Sequence, residues 1–278
     1  MNVAIVGLGV GMQHVRGWEA AGCRVAWFCD ADISKWPARI GTGFCTDWRS
    51  LLEQDIRAVS ICAPDGLHAE MVVEFLTAGV HVFCEKPLCL TRAELEEIRA
   101  VKTKARLSVH LPLRTWRPTL DLKKRISGLG DVYLARAEYR WGRREKLEGW
   151  RGQTPGYSAM LGGGVHMVDL LRFLTGEEPA SPRGSSIIEG LPLYQTATFA
   201  LGSMVGEVTA DFLWRGEHQY NVEIFGTEGQ ARLIADCPVS KTAGVEAFAR
   251  ALMGRKPLPV PEAEVFRTME ACLLLNGG

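Results

Sequence analysis

The segment FCEKPL, residues 83–88, ends an apolar run with a charge pair and a proline. The run is typical of a buried strand, and the carboxyl ends of strands in a parallel sheet face the ligand crevice. Lys86 is therefore predicted to point into that crevice, and Pro87 disfavours a helical backbone for it. An ammonium group in this place can stabilise a negative charge that develops on a bound ligand. The alternative is a solvated ion pair between Glu85 and Lys86.

The segment GGGVHMVD, residues 162–169, joins three glycines to a histidine at the start of a predicted helix. His166 and Asp169 are three residues apart, so they lie on one helix face. The three glycines would let the backbone approach a cofactor closely. The alternative is a core histidine whose ring nitrogens are satisfied inside the protein.

The segment GLGVGMQH, residues 7–14, follows the first predicted strand directly. Gly7 permits a tight turn, and Gly9 lets the backbone come close to a pyrophosphate. The helix that follows offers unpaired N–H groups and a positive dipole end to that anion. One departure from the dinucleotide fingerprint is that its third glycine falls at Met12, while Gly11 comes one position early. A dinucleotide site is predicted, with a purely structural turn as the alternative.

Asp30 ends the second predicted strand, about twenty residues after these glycines, where a carboxylate accepts hydrogen bonds from the adenosine ribose. A carboxylate also repels a 2′-phosphate, which favours NAD over NADP. Lys35 and Arg39 follow closely and would offset this charge, so NADP stays an alternative.

Elements of two kinds must position these groups. From residue 2 to about residue 110, five short apolar runs alternate with amphipathic stretches, which predicts a doubly wound parallel sheet with helices on both faces. Beyond residue 112, one long and four shorter alternating runs predict an open, mostly antiparallel sheet in an α+β domain. The predicted domains are residues 1–112, which bind the nucleotide, and residues 113–278, which bind substrate and form oligomers.

Further motifs give a specific resemblance. APDGLH and HVFCEKPL each follow a strand of the first sheet, and RISGLGDV, GGGVHMVD and FGTEGQARL continue the likeness over nearly the whole chain. The sequence resembles the glucose-fructose oxidoreductase / inositol dehydrogenase / MocA family. The resemblance implies a Rossmann domain that binds NAD and a C-terminal domain on an open, mostly antiparallel sheet. It also implies hydride transfer at a secondary alcohol or ketone of a sugar, cyclitol or nucleotide-linked sugar.

The resemblance implies catalytic roles for three residues. Lys86 would polarise the substrate oxygen, His166 would relay the alcohol proton, and Asp169 would orient the imidazole or brace the helix. Many dehydrogenases of the family carry an aspartate four residues before this histidine, where this chain has Gly162. Either Lys86 and His166 suffice, or Glu138 or Asp169 takes over, or the protein binds NAD without ordinary turnover.

The resemblance also places three turns against the cofactor, namely the glycine turn, the APDGLH turn and the end of the FCEKPL strand, where the peptide bond before proline is often cis. In the APDGLH turn, the histidine is as compatible with a structural role as with a functional one. The predicted cofactor contacts are Gly7, Gly9, Val10, Gly11, Asp30, Ala63, Pro64, His68, Glu85, Lys86 and Pro87.

The segment RWGRREKLEGWR, residues 140–151, holds five basic residues and two tryptophans. By resemblance it borders the active site, and its WR pair recurs in the family. Arginine forks bind carboxylates or phosphates, and tryptophan faces stack on sugar rings, so an anionic sugar is predicted, with solvated surface as the alternative. The predicted substrate contacts are Arg140, Trp150, Arg151 and His166.

The composition excludes several classes of protein. Thirty-two basic residues balance 32 acidic ones, so no overall field draws the chain to nucleic acid or an anionic membrane. No apolar run reaches the roughly 18 residues of a membrane span, and the apolar N-terminus lacks a basic leader. The eight cysteines include no CxxC pair and are predicted to be buried thiols, so no metal site is expected. A cytoplasmic protein with a small-molecule substrate is predicted.

A broad hydrophobic face on the C-terminal sheet would need cover from another subunit, which predicts a homodimer or homotetramer. Two other functions stay open. The chain could be an NAD-binding sensor or scaffold that has lost its chemistry. It could also be a redox-neutral epimerase or glycosidase that oxidises its substrate transiently and regenerates NAD.

Overall fold

Strands and helices alternate along the first part of the chain in the computed structural model, which describes residues 1–187, 193–235, 240–254 and 256–277. The strands β1 to β6 all pair in parallel, in the order β3-β2-β1-β4-β5-β6. This order is that of a doubly wound Rossmann sheet, so the predicted α/β class is confirmed. The elements are β1 (Asn2–Val6), α1 (Gly11–Ala20), β2 (Arg24–Cys29), β3 (Gly43–Cys45), β4 (Ala58–Ile61), α2 (His68–Thr77), β5 (His81–Cys84), α3 (Arg92–Ala100) and β6 (Leu107–Val109).

The strands of this sheet are apolar along their length because helices cover both faces. In β1, the side chains from Val3 to Val6 are all buried. The short edge strand β3 was not predicted, since three residues are too few to show a period. The segment DWRSLLEQ, one of the amphipathic stretches between the strands, forms a 3₁₀ helix at Trp48–Glu53.

A second sheet occupies the later part of the chain, in the order β12-β11-β7-β10-β9-β8. Its pairs are antiparallel except for β7 with β10, which confirms an open, mostly antiparallel sheet. The strand β8 was not predicted. The elements are α4 (Arg117–Ile126), β7 (Val132–Arg140), α5 (Trp150–Gln153), α6 (Val165–Thr175), β8 (Pro179–Ile187), β9 (Tyr194–Leu201), β10 (Met204–Asp211), β11 (Gln219–Gly226) and β12 (Gly229–Ala235).

The two faces of this second sheet differ in chemistry because side chains alternate along each strand. In β7, Ala135, Ala137 and Tyr139 are buried on the side that α6 covers. On the other face, Arg136 pairs with Glu207 at 2.6 Å, and further ion pairs and threonines lie between a few exposed apolar side chains. The expectation of a broad hydrophobic face on this sheet is therefore wrong. An oligomer stays a prediction without that support.

Two helices close the chain, α7 (Lys241–Leu252) and α8 (Glu262–Leu275). The chain divides into two compact units, the first made of Met1–Cys89, Ala93–Pro112 and Ser240–Phe266 and the second of Leu90–Arg92, Leu113–Val239 and Arg267–Gly278. Among the described residues, no helix has the length and apolar character needed to cross a bilayer.

The helix α7 belongs to the first unit, whereas the sequence pattern assigned all residues beyond 112 to the second domain. The physical reason is its packing against α1. A Cβ atom added at Gly17 of α1 would lie 2.6 Å from the Cβ of Val245, and the rings of Trp18 and Phe248 meet edge to face at 5.9 Å. The predicted boundary misses this return because no local pattern marks it.

Candidate functional site

The glycine turn after β1 has three glycines with three different surroundings. Gly7 has a φ of 84°, and a Cβ atom there would collide with the backbone of Cys62. A Cβ atom at Gly9 would meet no protein atom within 4 Å among the described residues. A Cβ atom at Gly11 would lie 2.7 Å from Cγ2 of Ile5. Gly11 thus provides the close contact between helix and strand that a third glycine gives, and Gly9 leaves its side of the turn open to a ligand.

The amino end of α1 faces this open side. Val10 precedes the helix, and among the described residues no side chain caps it and no acid lies in its first turn. Its unpaired N–H groups and positive dipole end suit a pyrophosphate. These features fit the dinucleotide that the sequence predicts.

Asp30 fixes the glycine turn from the end of β2. Its Oδ2 accepts a hydrogen bond from the backbone N–H of Leu8 at 2.8 Å, and its Oδ1 accepts one from the N–H of Asp32 at 3.0 Å. Lys35 donates to both oxygens, at 3.0 and 3.2 Å. Burial raises the pKa of Asp30, but these donors outweigh it and lower the pKa overall. The carboxylate is therefore ionised and oriented beside the turn.

The APDGLH turn follows β4, which pairs with β1, and the FCEKPL turn follows β5, which pairs with β4. Lys86 is half-buried, and the Lys86–Pro87 peptide bond is cis, as the resemblance implied. His68 is fully buried, with Nδ1 2.7 Å from the carbonyl oxygen of Pro87 and Nε2 2.9 Å from that of Ala63. Its ring therefore links the FCEKPL turn to the APDGLH turn. A ring with no exposed surface cannot reach the cofactor, which corrects the predicted contact of His68.

Glu85 points into the interior rather than toward a ligand, which corrects its predicted cofactor contact. Its Oε1 lies 3.3 Å from Nε2 of His14, 3.1 Å from Nδ1 of His110 and 2.9 Å from Nζ of Lys241. Burial alone would raise the pKa of Glu85, but Lys241 and His110 hold it well below its usual range. We call these four residues the Glu85 cluster.

No local sequence pattern marks this cluster, because its members are far apart along the chain. His14, Glu85 and His110 offer three ligand atoms within 4.8 Å of one another, a spacing that a metal ion could use. Such an ion would have to bind Oε1 of Glu85. The ammonium of Lys241 already lies next to that oxygen and supplies a positive charge. The contacts therefore describe a buried ion pair supported by two imidazoles.

In the second unit, a π-helix at Met160–Gly164 leads into α6. Its three glycines each face a protein side chain. A Cβ atom at Gly162 would collide with the hydroxyl of Tyr157, one at Gly163 with the ring of Tyr139, and one at Gly164 would lie 2.6 Å from Sδ of Met160. Close packing against these side chains thus explains the glycines without a cofactor.

His166 lies in the first turn of α6 and is buried among aromatic rings. The ring centroid of Tyr139 is 6.1 Å from that of His166, and the ring of Tyr220 is 6.2 Å away. Tyr139 also meets His218 edge to face at 5.0 Å. Burial raises the pKa of Tyr139 well above its ordinary value, while Arg143 and Arg151 act in the opposite direction. We call this group of rings around His166 the aromatic chamber.

Asp169 is buried on α6 and makes its contacts away from the chamber rings named above. Its two oxygens accept hydrogen bonds from Nε of Arg114, each at 2.9 Å, and Oδ1 accepts a third from Thr268 at 2.7 Å. Thr268 in turn accepts from Arg172 at 2.7 Å. These contacts brace the helix, which was one of the two predicted roles of Asp169.

The predicted substrate contacts separate in the structure. Arg140 and Tyr139 are neighbours in β7, so they face opposite sides of the sheet, and Arg140 stacks over Trp214 and pairs with Glu138. This corrects the predicted place of Arg140 and removes Glu138 as a substitute acid, because both lie on the face away from α6. Alternation along β7 could have revealed Tyr139 in advance.

Trp150 and Arg151 do lie next to the aromatic chamber. The guanidinium carbon of Arg151 is 4.2 Å from the ring centroid of Trp150 and 5.9 Å from that of Trp141. The Trp150 ring meets Tyr157 edge to face at 6.4 Å. A cavity of about 590 Å³ is lined by other residues, namely Gly142, Arg144, Glu145, Leu147, Glu148, Leu193, Trp214 and Arg215. Arg151 thus lies over aromatic rings, and a sugar site at these residues stays a prediction.

Two family models match the chain. The model described as an oxidoreductase family with an NAD-binding Rossmann fold covers residues 1–111, and that of the GFO/IDH/MocA C-terminal domain covers residues 121–232. The chain belongs to the GFO/IDH/MocA oxidoreductase family. Its first unit therefore contains an NAD-binding Rossmann domain, and the family resemblance of the sequence is confirmed.

Curated relatives and solved structures of the family are similar to the chain. Levoglucosan dehydrogenase of Pseudarthrobacter phenanthrenivorans is 33% identical over 174 residues, which are 58% of this chain and 44% of that protein. The match thus spans less than two thirds of that relative.

Among solved structures, myo-inositol 2-dehydrogenase from Lactobacillus plantarum has a TM-score of 0.86 at 19% identity, covering 100% of this chain and 97% of that one. Scyllo-inositol dehydrogenase from Lactobacillus casei, solved with bound NAD(H) and scyllo-inositol, has a TM-score of 0.82 at 18% identity, covering 100% and 96%. At such identities the likeness is one of fold.

Proposed function

We propose that the chain is a dehydrogenase that transfers hydride between NAD and a secondary alcohol or ketone of a sugar or cyclitol. The observation that carries this proposal is the arrangement of three turns in one parallel sheet. The glycine turn follows β1, the APDGLH turn follows β4 and Lys86 follows β5, and these three strands are neighbours. Their carboxyl ends form one crevice edge, so Lys86 belongs beside the nucleotide turn.

The proposed chemistry uses Lys86 and His166. NAD, when bound, would supply the hydride acceptor for the alcohol carbon. Lys86 hydrogen-bonds the substrate oxygen and stabilises its developing negative charge. His166 takes the hydroxyl proton in oxidation and returns it in reduction. The aromatic chamber excludes water from His166, and Trp150 and Arg151 contact the remainder of the substrate ring.

The substrate class rests on the named relatives, which act on levoglucosan and inositols. A cyclic polyol is the shared chemistry. Arg151 over Trp150 also suits a sugar that carries a carboxylate or phosphate, because a guanidinium binds such groups through two parallel hydrogen bonds.

The contacts of Asp30 support NAD over NADP. Its carboxylate is ionised, Lys35 is paired with it, and Arg39 is paired with Glu19 at 2.6 Å. Both cations that could bind a 2′-phosphate are therefore engaged by carboxylates. A 2′-phosphate would have to break one of these pairs and face the charge of Asp30.

The proposal is tested in two steps with the purified protein. Quenching of protein fluorescence is expected to show tighter binding of NADH than of NADPH, with the preference reduced in Asp30→Ala. Absorbance at 340 nm is then expected to show NADH formation from NAD with at least one of myo-inositol, scyllo-inositol, levoglucosan and D-glucuronate. Lys86→Met should abolish it while NADH still binds. Absence of binding to either dinucleotide would refute the proposal.

A second candidate is an NAD-binding protein without turnover, which Gly162 favours, since no carboxylate occupies that position. Tight NADH binding with no NADH formation from any of the four polyols would support it. A redox-neutral enzyme would instead consume a polyol or its glycoside with bound NAD and no net NADH.

A further inference from the structure

The hydroxyl of Tyr157 fills the space beside the π-helix where a side chain at position 162 would lie. A Cβ atom built on Gly162 collides with Oη of Tyr157 and lies 2.7 Å from its Cζ and 3.0 Å from its Cε2. Tyr157 is buried, so its hydroxyl is held at this place within the protein. The hydroxyl of Tyr157 thus occupies the space that a side chain at position 162 would fill.

Position 162 is one helical turn before His166. The π-helical turn ends at Gly164, and side chains lean toward the helix amino end, so the side chain of His166 leans toward position 162. The neighbouring glycine gives an independent check. A Cβ atom on Gly163 would meet the ring of Tyr139, and that ring packs 6.1 Å from His166. This part of the helix therefore lines the aromatic chamber.

Several contacts fix the backbone and ring of Tyr157. Its ring lies 6.4 Å from that of Trp150 and 6.3 Å from that of Phe212. The next residue, Ser158, accepts hydrogen bonds from the N–H groups of Gly162 at 2.8 Å and Leu161 at 3.1 Å. Ser158 also donates to Asn276 at 2.7 Å. The hydroxyl of Tyr157 is thus positioned before any substrate binds, which is what catalytic hydrogen bonding requires.

A tyrosine hydroxyl can donate one hydrogen bond and accept others, so it can hold a substrate hydroxyl in either direction. A carboxylate at the same place would only accept and would add a negative charge. The chamber instead has Arg143 and Arg151 near Tyr139.

We infer that Tyr157 is a catalytic residue of this chain, whose hydroxyl hydrogen-bonds the reacting oxygen of the polyol beside His166. The inference rests on the proposed dehydrogenase function. In oxidation, the C–H bond of the alcohol carbon breaks and its electron pair leaves with the hydride to NAD. The O–H proton passes to His166, and the C–O bond becomes a carbonyl. Tyr157 keeps its own proton and holds the oxygen in line throughout.

The main test is Tyr157→Phe, which keeps the ring and removes the hydroxyl. We expect kcat/KM for the best of the four polyols to fall about 100-fold, mainly through kcat, while NADH affinity is unchanged. Tyr133→Phe, on an exposed part of β7, is the matched control and should be unaffected. Activity of Tyr157→Phe within twofold of the parent protein would overturn the inference.

A double variant separates catalysis from packing. Tyr157→Ala with Gly162→Asp removes the ring that blocks position 162 and supplies a carboxylate. We expect it to recover at least tenfold over Tyr157→Ala and to show a second ionisation on the acid side of its pH–rate profile. A structural role of Tyr157 alone would give no such recovery and no added ionisation.

A third measurement separates failure of the inference from failure of the proposed function, because it needs no turnover. The imidazole ¹⁵N resonances of His166, assigned with His166→Gln, are expected to move in Tyr157→Phe and to stay in Tyr133→Phe. If NADH forms from none of the polyols, a moved resonance still supports the place of Tyr157 beside His166. Unmoved resonances overturn the inference whether or not the protein turns over.

Discussion

Lys241 donates a hydrogen bond of 2.9 Å to Oε1 of Glu85, joining residues 156 positions apart in the chain. Glu85 follows β5 directly and precedes Lys86, and Lys241 begins α7. The late return of the chain to the first unit thus fixes the strand end that carries the proposed catalytic lysine. An ionised carboxylate in the interior is tolerated because an ammonium and two imidazoles surround it.

Removing this ammonium should destabilise the first unit. We expect Lys241→Met to lower the free energy of unfolding by about 2 kcal/mol, because it leaves the buried charge of Glu85 with weaker partners and Lys241 is itself one-third exposed. Urea denaturation measures the change, with Lys124→Met on an exposed side chain as the control. Adding Glu85→Gln to Lys241→Met should recover part of the loss, and a double variant less stable than the single one would contradict the ion-pair account.

The Glu85 cluster should also make stability depend on pH. Burial is the main cause that lowers the pKa of His14 in the folded protein, so the unfolded chain binds the proton more readily. Stability contributed by neutral His14 is therefore complete above about pH 6.5 and falls as the pH drops below that value. The lowered pKa of Glu85 adds a further loss below its ordinary value of 4.5.

Thermal denaturation between pH 8 and pH 5 checks this sign. The melting temperature is expected to fall on acidification and to fall less in His14→Gln. His81, whose pKa is lowered by burial and by nearby arginines, contributes in the same direction and is the comparison variant as His81→Gln. A melting temperature that rises on acidification would contradict the buried neutral imidazole.

The three glycines of the nucleotide turn should respond differently to alanine. Gly9→Ala is expected to leave the free energy of unfolding within about 0.5 kcal/mol, since no described atom lies near the new Cβ, but to weaken NADH binding at least about tenfold. Gly11→Ala should instead destabilise the fold, because its Cβ would press on Ile5 at 2.7 Å. Fluorescence titration and urea denaturation of both variants measure the difference. Equal effects of the two substitutions on stability would show that Gly9 does not face open space.

Asp169 should prove to be a structural residue. Asp169→Asn removes the charge that pairs with buried Arg114, and we expect it to lower the free energy of unfolding by about 3 kcal/mol. Polyol oxidation at a temperature well below its melting point should stay within about threefold of the parent protein, because its contacts brace α6. Thr268→Val is the milder companion variant, since it removes one hydrogen bond to the same carboxylate. A large loss of kcat in Asp169→Asn with unchanged stability would show that Asp169 has a catalytic role.

Local patterns determined much of this protein in advance. The alternation of apolar runs and helices fixed the first sheet, because a strand buried on both faces must be apolar throughout, as the buried residues of β1 are. The glycine turn, Asp30 and the FCEKPL strand end were recognisable because each lies within one short segment. Their adjacency followed from the parallel order of β1, β4 and β5.

Only the tertiary structure decided what surrounds each candidate side chain. His14, Glu85, His110 and Lys241 meet through contacts between distant segments, so no spacing in the sequence marks their cluster. No spacing in the sequence marks the contact of the Tyr157 hydroxyl with position 162, or the hydrogen bond from Arg114 to Asp169. Sequence periodicity reports which face of an element is buried, whereas the identity of the neighbour on that face depends on how elements far apart in the chain pack.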